Sequence, residues 1–178
     1  SYFTGYHTAS GIVGTGELQK TIAFNKCVVE NCYFTDSGET NAACSRAAAG
    51  IIASTGNSNA KISNCLVVNN IFSTAGYEAG FVAKTGNYAP TGVEITNSIA
   101  IGVTPYSNAK IGELGKGLTE QLAVENVYSN VACDVNGFTT LTDEQMQGDA
   151  AKSNMDLAWN VDWLVGAEGK YPSINFDE

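Results

Sequence analysis

Two short elements recur four times along this chain, and a recurrence of that kind restricts the fold more tightly than any compositional figure. The first element runs β-branched, polar, Asn, small, large apolar. It is found at Val29-Glu30-Asn31-Cys32-Tyr33, Ile62-Ser63-Asn64-Cys65-Leu66, Ile95-Thr96-Asn97-Ser98-Ile99 and Val124-Glu125-Asn126-Val127-Tyr128, so its asparagines recur at nearly even intervals. Upstream of each stands a glycine element: Gly11-Ile12-Val13-Gly14, Gly50-Ile51-Ile52-Ala53, Gly80-Phe81-Val82-Ala83 and Gly112-Glu113-Leu114-Gly115. The stretch from Gly to Asn is longest in the first unit, Gly11 to Asn31, and shorter in the other three.

Between these landmarks lie short apolar and β-branched runs cut by Gly, Asn, Ser and Pro, which is strand punctuation and not helix periodicity. Each unit is therefore expected to hold about three short strands. Units of this length without an amphipathic helix exclude the helical repeat families. Stacked strands remain, each paired in parallel with its equivalent one turn away. The expected fold is all-β: a right-handed parallel β-helix, or β-solenoid, of about four coils. Residues 1–137 form the repeat region and residues 138–178 a short helix and cap of the same domain. In such a stack Asn31, Asn64, Asn97 and Asn126 would stand above one another with their amides joined in a ladder. The simpler alternative is that each Asn occupies a left-handed turn. Cys32 and Cys65 would be neighbours, as free thiols in preference to a disulfide.

Within the tail, Thr142-Asp143-Glu144-Gln145 carries a capping-box pattern, which predicts a short helix over 142–147 that resumes past Gly148 to 154. Trp159, Trp163, Leu164, Tyr171 and Ile174 then supply apolar surface suited to covering the open end of the last coil. The two tryptophans could instead offer a sugar-stacking platform. Tyr77, Tyr88 and Tyr106, in or beside loops that vary in length between units, are further candidate ligand contacts.

Charge narrows the partners. Nine basic residues face 18 acidic ones, for a net charge of −9, and Arg46 is the single arginine, so nucleic acid is not an expected partner. No apolar run approaches the ~18 residues of a membrane span. Ser1-Tyr2-Phe3-Thr4 resembles neither an initiator nor a signal peptide, and the chain is expected to be a trimmed piece. His7 is the lone histidine, and nothing near it suggests a nucleophile, so no catalytic residue is assigned. Cys27 and Cys32 lack the further ligands of a zinc site, and neither a metal nor a cofactor is expected. Glu30 and Glu125 would share a column but lie about 14 Å apart across two intervening coils, beyond the roughly 5–9.5 Å of paired glycosidase carboxylates.

The stretch Ala49-Gly50-Ile51-Ile52-Ala53, followed by Lys61-Ile62-Ser63-Asn64-Cys65-Leu66, resembles the GLUG-type repeats of surface proteins from Bacteroides-like bacteria, over about residues 9–135. The run from Trp159 to Ile174 is similar to the closing segment of such proteins. This resemblance implies an exported or surface-displayed β-helix serving adhesion, with a glycan or a host or bacterial surface protein as partner, and it supplies no catalytic residues. A polysaccharide lyase or glycoside hydrolase and a structural stalk are the competing expectations.

Overall fold

The structure is a computed structural model that describes residues 1–5, 8–15, 20–36, 47–56, 58–73, 76–84, 92–105, 121–133 and 135–177. Strands dominate it. The first repeat contributes β1 (Tyr2–Gly5), β2 (Thr8–Ser10), β3 (Val13–Thr15), β4 (Thr21–Asn25) and β5 (Val28–Glu30). The second contributes β6 (Tyr33–Asp36), β7 (Ala47–Ala49), β8 (Ile52–Ser54), β9 (Asn59–Ser63) and β10 (Leu66–Val68). Then come β11 (Ile71–Ser73), β12 (Tyr77–Ala79), β13 (Val82–Lys84) and the long strands β14 (Gly92–Ile101) and β15 (Gln121–Ser129). The tail holds β16 (Phe138–Thr140), a 3-10 turn at Glu144–Met146, helix α1 (Gly148–Asn154), β17 (Trp163–Leu164) and β18 (Ser173–Ile174). The chain is all-β, and except for the antiparallel β17–β18 pair its named strands pair in parallel.

Among the described residues, each strand of the first repeat lies beside its counterpart in the second, and the ladders continue into the third. Sheets run β1-β6-β11, β2-β7-β12 and β3-β8-β13, while β4 pairs with β9, β9 with β14 and β14 with β15. β10 joins the second half of β14, and β5 joins β10. The first two repeats hold five strand pieces each, more than the three expected, and a left-handed residue separates the fourth from the fifth; β14 and β15 run through the equivalent corner as single strands.

Those breaks give the asparagines their place. Positive φ is found at Lys26 (52°), Asn64 (50°), Asn97 (47°) and Asn126 (53°), and again a little further along the chain at Asn31 (53°), Asn69 (51°) and Gly102 (74°). Ladder register arranges them in two columns. Asn25 pairs with Ser63 and Val28 with Leu66, so the residue beside Asn64 is Lys26 and the residue beside Asn69 is Asn31. The expected column Asn31-Asn64-Asn97-Asn126 is thus corrected to Lys26-Asn64-Asn97-Asn126. The backbone reason is plain: Asn pays least among side-chain-bearing residues for left-handed geometry, so both corners select it. An amide ladder forms only in part. Asn126 Nδ2 donates to Asn97 Oδ1 at 3.2 Å, but Asn64 Nδ2 turns to Asn25 Oδ1 at 3.1 Å. Asn64 Oδ1 is buried without a hydrogen-bond partner among the described residues.

Glycine is demanded where repeats come closest. A Cβ on Gly11 would sit 2.5 Å from the Gly50 carbonyl oxygen, and one on Gly50 would sit 2.6 Å from that of Gly80. Beyond Gly80 the column continues at Thr104 and Pro105, whose carbonyls accept from Gly80 N and Phe81 N at 2.7 and 2.9 Å, where the sequence pattern places Gly112. Gly112 itself lies outside the described residues. Within the interior, the rings of Phe3, Phe34 and Phe72 stack at centroid separations of 5.1 and 5.0 Å. That spacing is close to the distance between neighbouring strands.

The tail takes a different position from the one expected. Thr142 and Gln145 make the reciprocal capping bonds, Thr142 N to Gln145 Oε1 at 2.9 Å and Gln145 N to Thr142 Oγ1 at 3.3 Å. β16 extends the stack by pairing with β15. The rest folds back along its side: Met146, Ala151, Met155, Leu157, Trp163 and Ile174 pack on Leu66, Ile99, Ile101 and Tyr128, the outward residues of β10, β14 and β15. Those outward positions are apolar, unlike the polar outward residues of β9, and left bare they would form an exposed apolar patch. Lys26 Nζ to Asp162 at 3.2 Å and Asp156 N to Tyr128 Oη at 2.7 Å fix the cover in place. Burial pushes the Tyr128 hydroxyl's pKa up, with Asp156 near it.

Candidate functional site

Strands β4 and β9 and the first halves of β14 and β15 alternate. Phe24, Ile62, Ile95 and Val124 turn inward, and short polar or small residues turn outward. The register aligns the outward residues in rows. Ala23, Lys61, Glu94 and Ala123 form one row, and Thr21, Asn59 and Gly92 form the next. Along these rows opens a cavity of about 300 Å³, lined by Thr21, Asn59, Ala60, Lys61, Gly92, Val93, Glu94, Leu122 and Ala123.

Its charged centre is the ion pair of Lys61 Nζ with Glu94 Oε2 at 2.7 Å. Both side chains are about half exposed (58% and 45%), so the pair adds little to stability, on the order of 0–1 kcal/mol. Its value is chemical: an ammonium that donates and a carboxylate that accepts are presented together on a rigid sheet. Asn59 Oδ1 accepts from Gly92 N at 2.7 Å, leaving its amide NH₂ to donate outward. Gly92 and Ala123, lacking bulk, keep the floor low. A neighbouring polar row continues the face, with Ser63 Oγ donating to Asn25 Oδ1 at 3.0 Å. Donors and acceptors so arranged suit a ligand rich in hydroxyl groups.

The residues marked from sequence do not meet here. Trp163 is fully buried where the tail packs on the outward residues of β10, β14 and β15, and has no ring face to offer a sugar. Trp159 is half-buried and donates from Nε1 to the Met155 carbonyl at 3.3 Å. Tyr77 packs on an alanine cluster of Ala47, Ala49, Ala53, Ala79 and Ala83. Tyr88, Tyr106, His7 and Arg46 lie outside the described residues. Glu30 pairs in register with Val68 and Glu125 with Thr96, so the two carboxylates occupy different columns, not the shared one expected. Similarly, the neighbour of Cys65 is Cys27, while Cys32 N donates to Asn70 Oδ1 at 2.9 Å. Among the described residues no group of three His, Cys, Asp or Glu could hold a metal, and no helix is long and apolar enough to cross a membrane.

Sequence reasoning missed Lys61 and Glu94 because each stands one residue ahead of the recurring five-residue element, at a position that varies between repeats. One signal was available: once β9 and β14 are set in register, Lys61 and Glu94 fall opposite each other on the polar phase of the two strands. The chain matches no family model, no curated protein and no solved structure.

Proposed function

We propose that this chain is a right-handed parallel β-solenoid of the GLUG-like type, displayed outside a bacterial cell as a non-catalytic adhesion module that binds glycans. The observation that carries the glycan reading is the groove on the outward face of β4, β9, β14 and β15, where Lys61 and Glu94 stand 2.7 Å apart between small and amide-bearing residues. In-register parallel pairing across successive repeats supports the solenoid, and the resemblance of its repeats supports surface placement. Uncharged polysaccharides fit best, since a net charge of −9 repels polyanions.

Isothermal titration of the chain with neutral and uronate oligosaccharides tests this reading. Binding of a neutral oligosaccharide, weakened at least tenfold in Lys61→Ala and Glu94→Ala at unchanged melting temperature, is the expected result. Binding that survives both substitutions, or no binding, overturns the site. Release of shortened sugars from a polysaccharide panel would favour the hydrolase or lyase reading in its place.

A further inference from the structure

Register brings two cysteines together. The alignment that pairs Asn25 with Ser63 and Val28 with Leu66 sets Cys27 against Cys65, and Leu66 N donates to the Cys27 carbonyl at 2.9 Å. Their thiols point the same way. Cys27 Sγ donates to the Asn25 carbonyl at 3.6 Å and Cys65 Sγ to the equivalent Ser63 carbonyl at 3.2 Å. Cys65 Sγ also lies 3.9 Å from the Phe24 carbonyl of the neighbouring strand, within reach of the Cys27 side chain. Adjacent strands place the two Cα atoms about 4.8 Å apart, inside the roughly 4.4–6.8 Å window of disulfides. Both residues are free thiols here, one half-exposed and one buried.

We propose that Cys27 and Cys65 are an oxidative cross-linking site, joined as a disulfide between the first and second repeats when the chain meets a small-molecule disulfide. The half-exposed Cys27 thiol loses its proton to solvent, and the thiolate attacks one sulfur of the external disulfide. One small thiolate leaves and a mixed disulfide remains on Cys27. Cys65 then gives up its proton and attacks Cys27 Sγ, expelling the second small thiol. Two protein thiols are oxidised and one external disulfide is reduced to two thiols. Closure is the slow step, because burial and the nearby Cys27 push the Cys65 pKa up to about 12 and leave little thiolate at neutral pH. Cys32, similarly half-exposed, faces the Asn70 amide across the strands and not a thiol.

The test treats the full chain with oxidised glutathione and maps its peptides by mass spectrometry without reduction. Expected are a cross-link between the peptides of Cys27 and Cys65, a transient glutathione adduct on Cys27, and closure that accelerates roughly tenfold per pH unit above neutrality. In Cys65→Ser the adduct on Cys27 should persist; in Cys27→Ser, Cys65 should stay unmodified until the chain is unfolded. Pairing of Cys65 with any other cysteine, or full alkylation of both thiols after oxidant treatment and unfolding, overturns the proposal. Should either variant fail to fold, the map of the unaltered chain decides alone. Its outcome is independent of glycan binding.

Discussion

Adding one methyl group at Gly50 should damage this fold more than most deletions on its surface. A Cβ there would stand 2.6 Å from the Gly80 carbonyl oxygen and 2.8 Å from Val67 Cγ1. Ordinary contact starts near 3.4 Å, so the gap is short by about 0.8 Å against backbone that no rotamer change can move. Relief requires the second and third repeats to part at Gly50 N to Ala79 O and Ile51 N to Gly80 O, both already 3.2 Å. Overpacking typically costs 1–3 kcal/mol, and an immovable partner places Gly50→Ala at about 3 kcal/mol. At roughly 2–4 °C per kcal/mol for a domain of this size, the melting temperature should fall by about 6–12 °C. Gly14→Ala is the control: its Cβ would meet only the Thr8 side chain, at 3.1 Å, and its effect should stay within about 1 kcal/mol. Guanidinium unfolding followed by circular dichroism measures both. A Gly50→Ala loss below about 1 kcal/mol would refute the close approach of repeats on which the stacking argument rests.

Two further outcomes follow from named groups. Asn97→Gly keeps the left-handed corner and removes only the acceptor of Asn126 Nδ2, for a loss of about 1 kcal/mol in urea unfolding, whereas Asn97→Ala should lose roughly 1–2 kcal/mol more. Equal losses would mean that backbone geometry does not select this residue. The raised Cys65 pKa gives an alkaline signature. Below pH 9 the thiol is protonated in both states, and between pH 9 and about 12 the unfolded chain ionises while the folded chain holds its proton. Stability should therefore fall by about 1.4 kcal/mol per pH unit across that window, and Cys65→Ala should remove this part of the slope. An unchanged slope would contradict the burial of the thiol.

The repeats were legible because their landmarks answer to the backbone. Gly11 and Gly50 stand where a Cβ would collide with the next repeat, and Asn64, Asn97 and Asn126 stand where φ is positive. Register was harder to read. The earlier repeats carry two left-handed corners each, and the first keeps Asn only at the second corner, with Lys26 at the first. Aligning asparagines therefore slid that repeat from Lys26 to Asn31 and paired Cys32 with Cys65. The glycine spacing held the remedy: the stretch from Gly11 to Lys26 is close in length to those from Gly50 to Asn64 and from Gly80 to Asn97, whereas Gly11 to Asn31 is too long. Stacking of Phe34 on Phe72 enforces the same displacement along the chain as the pairing of Phe24 with Ile62. The tail's 3-10 turn at Glu144–Met146 was readable from Thr142 and Gln145, whereas α1, which follows at Gly148, has no side-chain cap. The tail's docking site was not readable, since the apolar outward positions Leu66, Ile99 and Ile101 become visible only once register is known.

A pile of units that touch only their neighbours melts from its ends, one layer at a time. This chain splints itself against that. Its closing segment runs lengthwise across the layers, gripping Lys26 in the first, Leu66 in the second, Ile99 in the third and Tyr128 in the fourth. The second, third and fourth layers share one apolar contact with this splint and the first is tied to it by an ion pair, so parting any two of the later three also tears the cover that spans them.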